Sequence, residues 1–352
     1  MDTDESTRTG AHGIIPGRRT PSPDAGDRRS GLISMPAPIA GARLGNGRAT
    51  AKFILIGEHA VVYGRPAIAL PMPALAMRAA AVPSSGELWL DSEHYRGPLS
   101  QAPERLAPIR AALIATLSHL GLPDRGLVVR TESAIPIERG LGSSAAVSAA
   151  VIRSLFDLAG LTPEQDELFE LIQVSERVAH GSPSGLDAHT VTAAGPLRFE
   201  RGVATPLRFG LRATFILADT GVRGQTRAAI TDLARLRERR PDWVEERFAR
   251  ITELTSASAS AVELDDVAAL GGHMSEAHGI LRDLEVSSPE LESLVSAAED
   301  AGALGAKLTG GGRGGCMVAV AESTQQALRV ARALGDAGAA RTWLYATGGP
   351  AA

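Results

Sequence analysis

The sequence predicts an α+β protein of two domains, on three observations. The 352 residues, 44% of them hydrophobic, are enough for two domains of ordinary size, each with its own core. Short apolar runs suited to strands and longer stretches of helical spacing both occur along the chain. They mix without a regular strand–helix–strand beat, which disfavours a doubly wound parallel sheet.

Taken in order, residues 1–44 are rich in Asp, Arg, Ser, Thr, Pro and Gly without an apolar period, and read as a disordered extension. Met35 would open a shorter chain that loses no recognisable motif. An N-terminal domain is expected at residues 45–200 and a C-terminal domain at 201–352, with order beginning at Ala49. Residues 53–56, ended by Gly57, suit a buried strand. Residues 68–82 suit another, in which Pro71 and Pro73 are expected at bulges or edge positions. Residues 88–90 and 127–129 are further strand candidates. Residues 107–120 have helical spacing, and 144–158 are apolar nearly all round, as in a buried helix. An amphipathic helix over 163–180 would carry Pro163 in its first turn. Beyond Gly195 the pattern predicts a strand at 213–218 and helices at 226–240, 242–259, 265–284 and 289–301. Strands at 316–321 and 343–346 then flank a helix at 324–334, and no internal repeat is visible.

The formal charge of −4 argues against a nucleic-acid partner, which calls for a basic face. A single cysteine, Cys316, leaves no intrachain disulfide and no cysteine metal cage, and fits a reducing compartment. No apolar run is long enough to span a membrane, and the N-terminus lacks the order of a signal peptide, so a cytoplasmic location is expected. Of the 36 basic residues only Lys52 and Lys307 are lysines. A lysine reaches a phosphate or a buried carboxylate as a point charge on a thin stem, which the broad arginine fork cannot do.

Both lysines fall in segments that carry chemistry. Lys52-Phe-Ile-Leu-Ile-Gly-Glu-His-Ala-Val-Val-Tyr-Gly64 puts a lysine in a strand and Glu58 and His59 just past the Gly57 turn, where burying them unpaired would be expensive. Pro136-Ile-Glu-Arg-Gly140-Leu141-Gly142-Ser143-Ser144-Ala145 opens directly into the apolar helix. Its glycines allow an anion close to the backbone, its first-turn amides point at such an anion, and its hydroxyls suit phosphate or magnesium. Taken alone it is equally compatible with ordinary capping. No Gly-Lys pair exists, so a Walker loop is excluded.

Glu176-Arg-Val-Ala-His180-Gly-Ser-Pro-Ser-Gly-Leu-Asp187 sets two carboxylates on either side of a turn, one suited to a metal and one to a reacting hydroxyl. His180, one turn from Glu176, reads as a helix-surface or cap partner. Lys307-Leu-Thr-Gly310-Gly311-Gly-Arg313-Gly-Gly-Cys316 holds five glycines, expected in unusual conformations and pressed against something large. In the weaker segment 219–226, Thr226 starts a helix and reads equally as a cap or as a site residue.

In this order and spacing, from about Ala49 to the C-terminus, the segments resemble the three motifs of the GHMP kinase superfamily. The resemblance implies an S5-like N-terminal domain and a ferredoxin-like C-terminal one, with ATP between them. It implies Asp187 and Lys52 as the catalytic pair. Glu58, His59 and Thr226 would lie on the substrate side, the hydroxy acid meeting Glu58 and His59 and the γ-phosphate lying near Thr226. Pro136, the loop Gly140 to Ala145, Gly310 and Gly311 would lie about ATP, and Ser144 and Glu176 would hold Mg²⁺. The partners implied are ATP and a small hydroxy acid, and a homodimer is left open. A kinase of a phosphorylated acid or of a sugar, or a silent ligand sensor, are the alternatives. Two positions depart from the pattern: Arg313 stands where glycine is common and is expected at solvent or in a structural contact, and Ala51 replaces the glycine before Lys52.

Overall fold

The structure, a computed structural model, describes residues 35–181 and 183–348. Strand β1 (Gly45–Ile56) pairs antiparallel with the long β2 (Ala67–Glu87). The register slips where Thr50 faces Ala76 but Ala51 faces Met72, so residues 73–75 bulge out and Pro73 sits where no ladder amide is needed. Pro71 faces Lys52 in a strand that is central rather than an edge. Strands β3 (Trp89–Ser92), β4 (Tyr95–Pro98), β5 (Arg125–Ser133), β6 (Leu197–Glu200) and β7 (Val203–Pro206) complete a sheet of order β4-β3-β5-β2-β6-β7, with β1 on β2.

Four helices belong to this half: α1 (Ala107–His119), α2 (Ser143–Leu158), α3 (Gln165–His180) and α4 (Leu186–Thr192). The α2 helix is buried because β1 lies directly on it. A Cβ on Gly47 would stand 1.9 Å from the Ala150 carbonyl oxygen, and one on Gly45 would stand 2.0 Å from that of Ser154. The α3 helix begins later than Pro163, because Glu164 caps it and Glu167 returns a bond to the Glu164 amide at 3.2 Å.

The second half contains β8 (Thr214–Asp219), α5 (Thr226–Arg239), α6 (Pro241–Glu263), α7 (Val267–Asp283), α8 (Pro289–Asp300), β9 (Gly305–Thr309), β10 (Cys316–Ala321), α9 (Thr324–Asp336) and β11 (Arg341–Ala346). Its strands form an antiparallel sheet of order β11-β8-β10-β9, the ferredoxin-like order that the resemblance implied. No helix among the described residues is long and apolar enough to cross a membrane.

Two expectations are corrected. Residues 35–44 lie against the fold rather than free of it: Pro38 bridges Ser84, and Arg43 pairs with Asp157 at 2.8 Å. The expectation for residues 1–34 lies outside the described residues. The halves do not have wholly separate cores, since Phe53 of β1 packs on Phe215 of β8 (5.5 Å between ring centres) and Tyr345 of β11 (6.1 Å) within one cluster. A boundary at residue 200 would cut the β6–β7 hairpin, so we propose that the division follows Pro206.

Gly47→Ala is expected to destabilise by about 2 kcal/mol, because the helix backbone it would strike has nowhere to go. Gly272→Ala, in α7 with open space around it, should instead stabilise by about 1 kcal/mol. Urea midpoints of the two variants check both signs.

Candidate active site

The site begins with the only charge that β1 buries. The Lys52 side chain is 2% exposed, and its Nζ lies 2.9 Å from Oδ1 of Asp187, the second residue of α4. An ammonium so deep is tolerable only against an anion. Its stem passes the glycine loop at Gly142, where a Cβ would come within 2.9 Å of Lys52 Cγ and 3.1 Å of Val191. Gly142 also has φ +72°, so the position demands glycine twice over. The Lys52 amide donates to the Leu141 carbonyl at 3.1 Å, which fixes the loop to the strand.

Gly142 is the N-cap of α2, whose first intrahelical bond runs from the Ala146 amide. The amides of Ser143, Ser144 and Ala145 therefore have no partner within the helix and are free to meet an anion. Leu141 and Ala145 point their side chains into the core, so only their backbones can serve a ligand. Pro136 is half-buried at the head of the loop.

Ser144 Oγ donates to Glu176 Oε1 at 2.7 Å, bringing together the two expected magnesium ligands. One turn along, Ser148 and Ser175 bond each other at 2.7 Å and hold α2 on α3. Burial pushes the Glu176 carboxyl above its usual range, and the neighbouring Asp187 charge pushes it the same way against the Ser144 bond. His180 Nε2 lies 3.8 Å from Glu176 Oε2 on a half-exposed ring, as a helix-surface partner would.

Mg²⁺ commonly takes one or two protein oxygens and completes its shell with water and substrate phosphates. The serine hydroxyl and carboxylate fit that ion, and a cation there would relieve the crowding of two carboxylates. Among the described residues no group of three His, Cys, Asp or Glu side chains could hold a metal unaided.

The second glycine loop, between β9 and β10, does press on something large, and much of it is the protein itself. A Cβ on Gly310 would come within 2.7 Å of Gly140 Cα, so the two glycine loops touch backbone to backbone. A Cβ on Gly311 would stand 2.1 Å from Thr226 Oγ1, which places Thr226 at the start of α5 beside both loops. Arg313 turns away to Asp232 and donates to the Glu285 carbonyl at 3.0 Å, the structural contact expected.

Glu58 and His59 are 1% and 5% exposed, and both are committed to this second loop and its strand. Glu58 pairs with Lys307, and His59 Nε2 lies 3.1 Å from the Gly311 carbonyl. Burial lowers the His59 pKa to about 4, so its ring is neutral at physiological pH. Burial also pushes the Glu58 carboxyl up and the Lys307 ammonium down, while their contact opposes both shifts.

Two charged partners at the site had no assigned role in the sequence reading. Lys307 is marked in the sequence by the rarity of lysine and by its place at the head of the second glycine-rich segment, neither of which names its partner. Arg139, immediately before the glycine loop, holds Asp219 at 2.7 Å and the Gly221 carbonyl at 3.0 Å, and so ties the loop to the segment that ends in Thr226. Its only sequence signal is a basic residue abutting Gly140.

Comparison with known proteins places these contacts in a family. Residues 108–195 match the GHMP kinases N terminal domain, and residues 258–340 match the GHMP kinases C terminal domain. A mevalonate kinase of Thermococcus gammatolerans is 34% identical over 305 residues, covering 80% of this chain and 91% of that one. The chain belongs to the mevalonate kinase family of GHMP kinases. A second member, from Aeropyrum pernix, is 33% identical over 288 residues, covering 78% of this chain and 88% of its own. Among solved structures of the family, L. major mevalonate kinase in complex with R-mevalonate superposes with a TM-score of 0.75. It is 29% identical, over 90% of this chain and all of that one.

The Glu176 environment predicts a pH-dependent stability. A carboxyl raised above its unfolded value contributes stability that is full below the unfolded pKa and is lost as pH rises through the folded one. Without metal, Glu176→Gln should therefore melt above the wild type at neutral pH, with the difference shrinking towards pH 4.5. A thermal-midpoint series across pH checks the sign.

Proposed function

We propose that this chain is an ATP-dependent kinase that phosphorylates the 5-hydroxyl of mevalonate to give 5-phosphomevalonate, a precursor for isoprenoid synthesis. The observation that carries this reading is the Lys52–Asp187 pair standing beside Ser144 and Glu176, in a chain of this family.

Asp187 orients the acceptor hydroxyl and takes its proton as that oxygen bonds to the γ-phosphorus of ATP. The bond from this phosphorus to the β–γ bridging oxygen breaks, and ADP leaves. Lys52 holds Asp187 in place through their contact and offsets charge on the transferring phosphoryl group. The free amides and Ser143 hydroxyl of the Gly140–Ala145 loop cradle the phosphates, and the backbones of Gly310 and Gly311 close over them from the other half. Ser144 and Glu176 would hold Mg²⁺, which would supply positive charge against the phosphates. Thr226 lies near the γ-phosphate, and His59 with Glu58 behind it forms the hydroxy-acid end. We place the activity in the cytoplasm, where the lone buried Cys316 would stay reduced.

A coupled ADP-release assay across mevalonate, phosphomevalonate, homoserine and galactose tests the substrate. Turnover with mevalonate is expected, and its absence overturns the reading. Asp187→Asn should lower kcat by about 10²-fold or more while ATP binding persists. Near-wild-type turnover in that variant would mean that the aspartate does not act on the hydroxyl.

A further inference from the structure

Both lysines are buried, yet only Lys52 enters the proposed reaction. Lys307 lies on β9, fully buried, with its Nζ against Glu58 and donating to the Leu308 carbonyl at 2.7 Å. Two residues along the same face, Thr309 Oγ1 accepts from the Ile54 amide at 2.9 Å and donates to the Ile54 carbonyl at 3.0 Å. With the His59–Gly311 contact, three successive links fasten the end of β1 and its turn to β9 and the loop beyond.

The two sides of this fastening are unequally supported. The glycine loop has other anchors: Gly315 to the Val222 carbonyl, Cys316 to that of Arg139, Arg313 to that of Val286, and Gln225 to that of Gly312. Past Gly57 the turn's backbone bonds are all local, and its far end is held on α6 by Arg65 with Glu245 and Tyr63 against Phe248. His59 sits at φ +61°, a conformation that persists only where the surroundings impose it. Glu58 Oε2 is buried without a partner, so Lys307 is what compensates this carboxylate.

We propose that Lys307 is a positioning residue for phosphoryl transfer: through Glu58 it holds His59 at the hydroxy-acid end of the cleft, while the nucleotide end stands without it. The inference rests on the kinase reading above. The compact ammonium meets Glu58 and the Leu308 carbonyl from one buried point, whereas a guanidinium would need room there for a broad planar fork.

The test uses the full chain as wild type, Lys307→Met, Lys307→Arg, Glu58→Gln and the double variant Glu58→Gln/Lys307→Met. For each, the thermal midpoint, kcat and the separate KM values for mevalonate and ATP are measured. Lys307→Met leaves a buried carboxylate unpaired and is expected to melt early, while the double variant removes both charges and should recover the midpoint. In the double variant KM for mevalonate should still be raised about tenfold, with KM for ATP within about twofold of wild type. Lys307→Arg should not rescue. Recovery of both KM values with the midpoint, or an equal rise in both, would overturn the proposal by reducing the pair to a structural one. Wild-type turnover separates this outcome from a wrong substrate: if mevalonate is inert, the same split is read on whichever acceptor the enzyme phosphorylates.

Discussion

An ammonium placed inside a β-sheet is costly unless an anion meets it, and much of this molecule is arranged so that Asp187 can meet Lys52. The 2.9 Å contact requires α4 to deliver a carboxylate to the inner end of β1, and it requires the glycine loop to let the lysine stem pass at Gly142. That loop in turn is the start of α2, whose backbone lies against Gly45 and Gly47 of the same strand. Strand, loop and two helices are thus one packing problem, solved by glycine where a side chain would collide. The proposed reacting pair, phosphate cradle and magnesium ligands would be consequences of that solution rather than separate additions.

The second theme is contact between backbones. Gly140 touches Gly310, Gly311 admits Thr226, and a Cβ on Gly312 would stand 1.9 Å from the Val286 carbonyl oxygen. Glycine-rich motifs are commonly read as ligand loops, and here Gly140 with Gly310 also joins the two halves, while Gly311 and Gly312 tighten the second half itself. The shared cluster around Phe53, Phe215 and Tyr345 is a further contact between the halves. An active site built across such a seam gains fixed distances between nucleotide and acceptor, which phosphoryl transfer depends on.

What the sequence made legible follows from the range of the interactions. Long periodic helices such as α1, α2 and α6 were readable because their pattern is local, and the motif glycines were readable because their type is restrictive. The short β4, the β6–β7 hairpin and the five-residue β9 carry too few residues for a period, and α4 is hidden behind Pro183 and Gly185. The Glu58–Lys307 pair joins residues 249 apart, so no window of sequence contains it. The scarcity of lysine and the glycine-rich segment it opens pointed at Lys307, but neither pointed at Glu58 as its partner. The shared core was missed for the same reason, since Phe53 meets its aromatic partners through the fold alone.

The central claim is that Lys52 and Asp187 act as one unit on the acceptor hydroxyl. A double-mutant cycle on kcat with mevalonate, using Lys52→Met, Asp187→Asn and the combined variant, tests it most directly. Groups that work as a unit are grossly non-additive, so the combined variant should be about as slow as the slower single one. Losses that multiply across the cycle would contradict the account, because the two side chains would then be contributing independently.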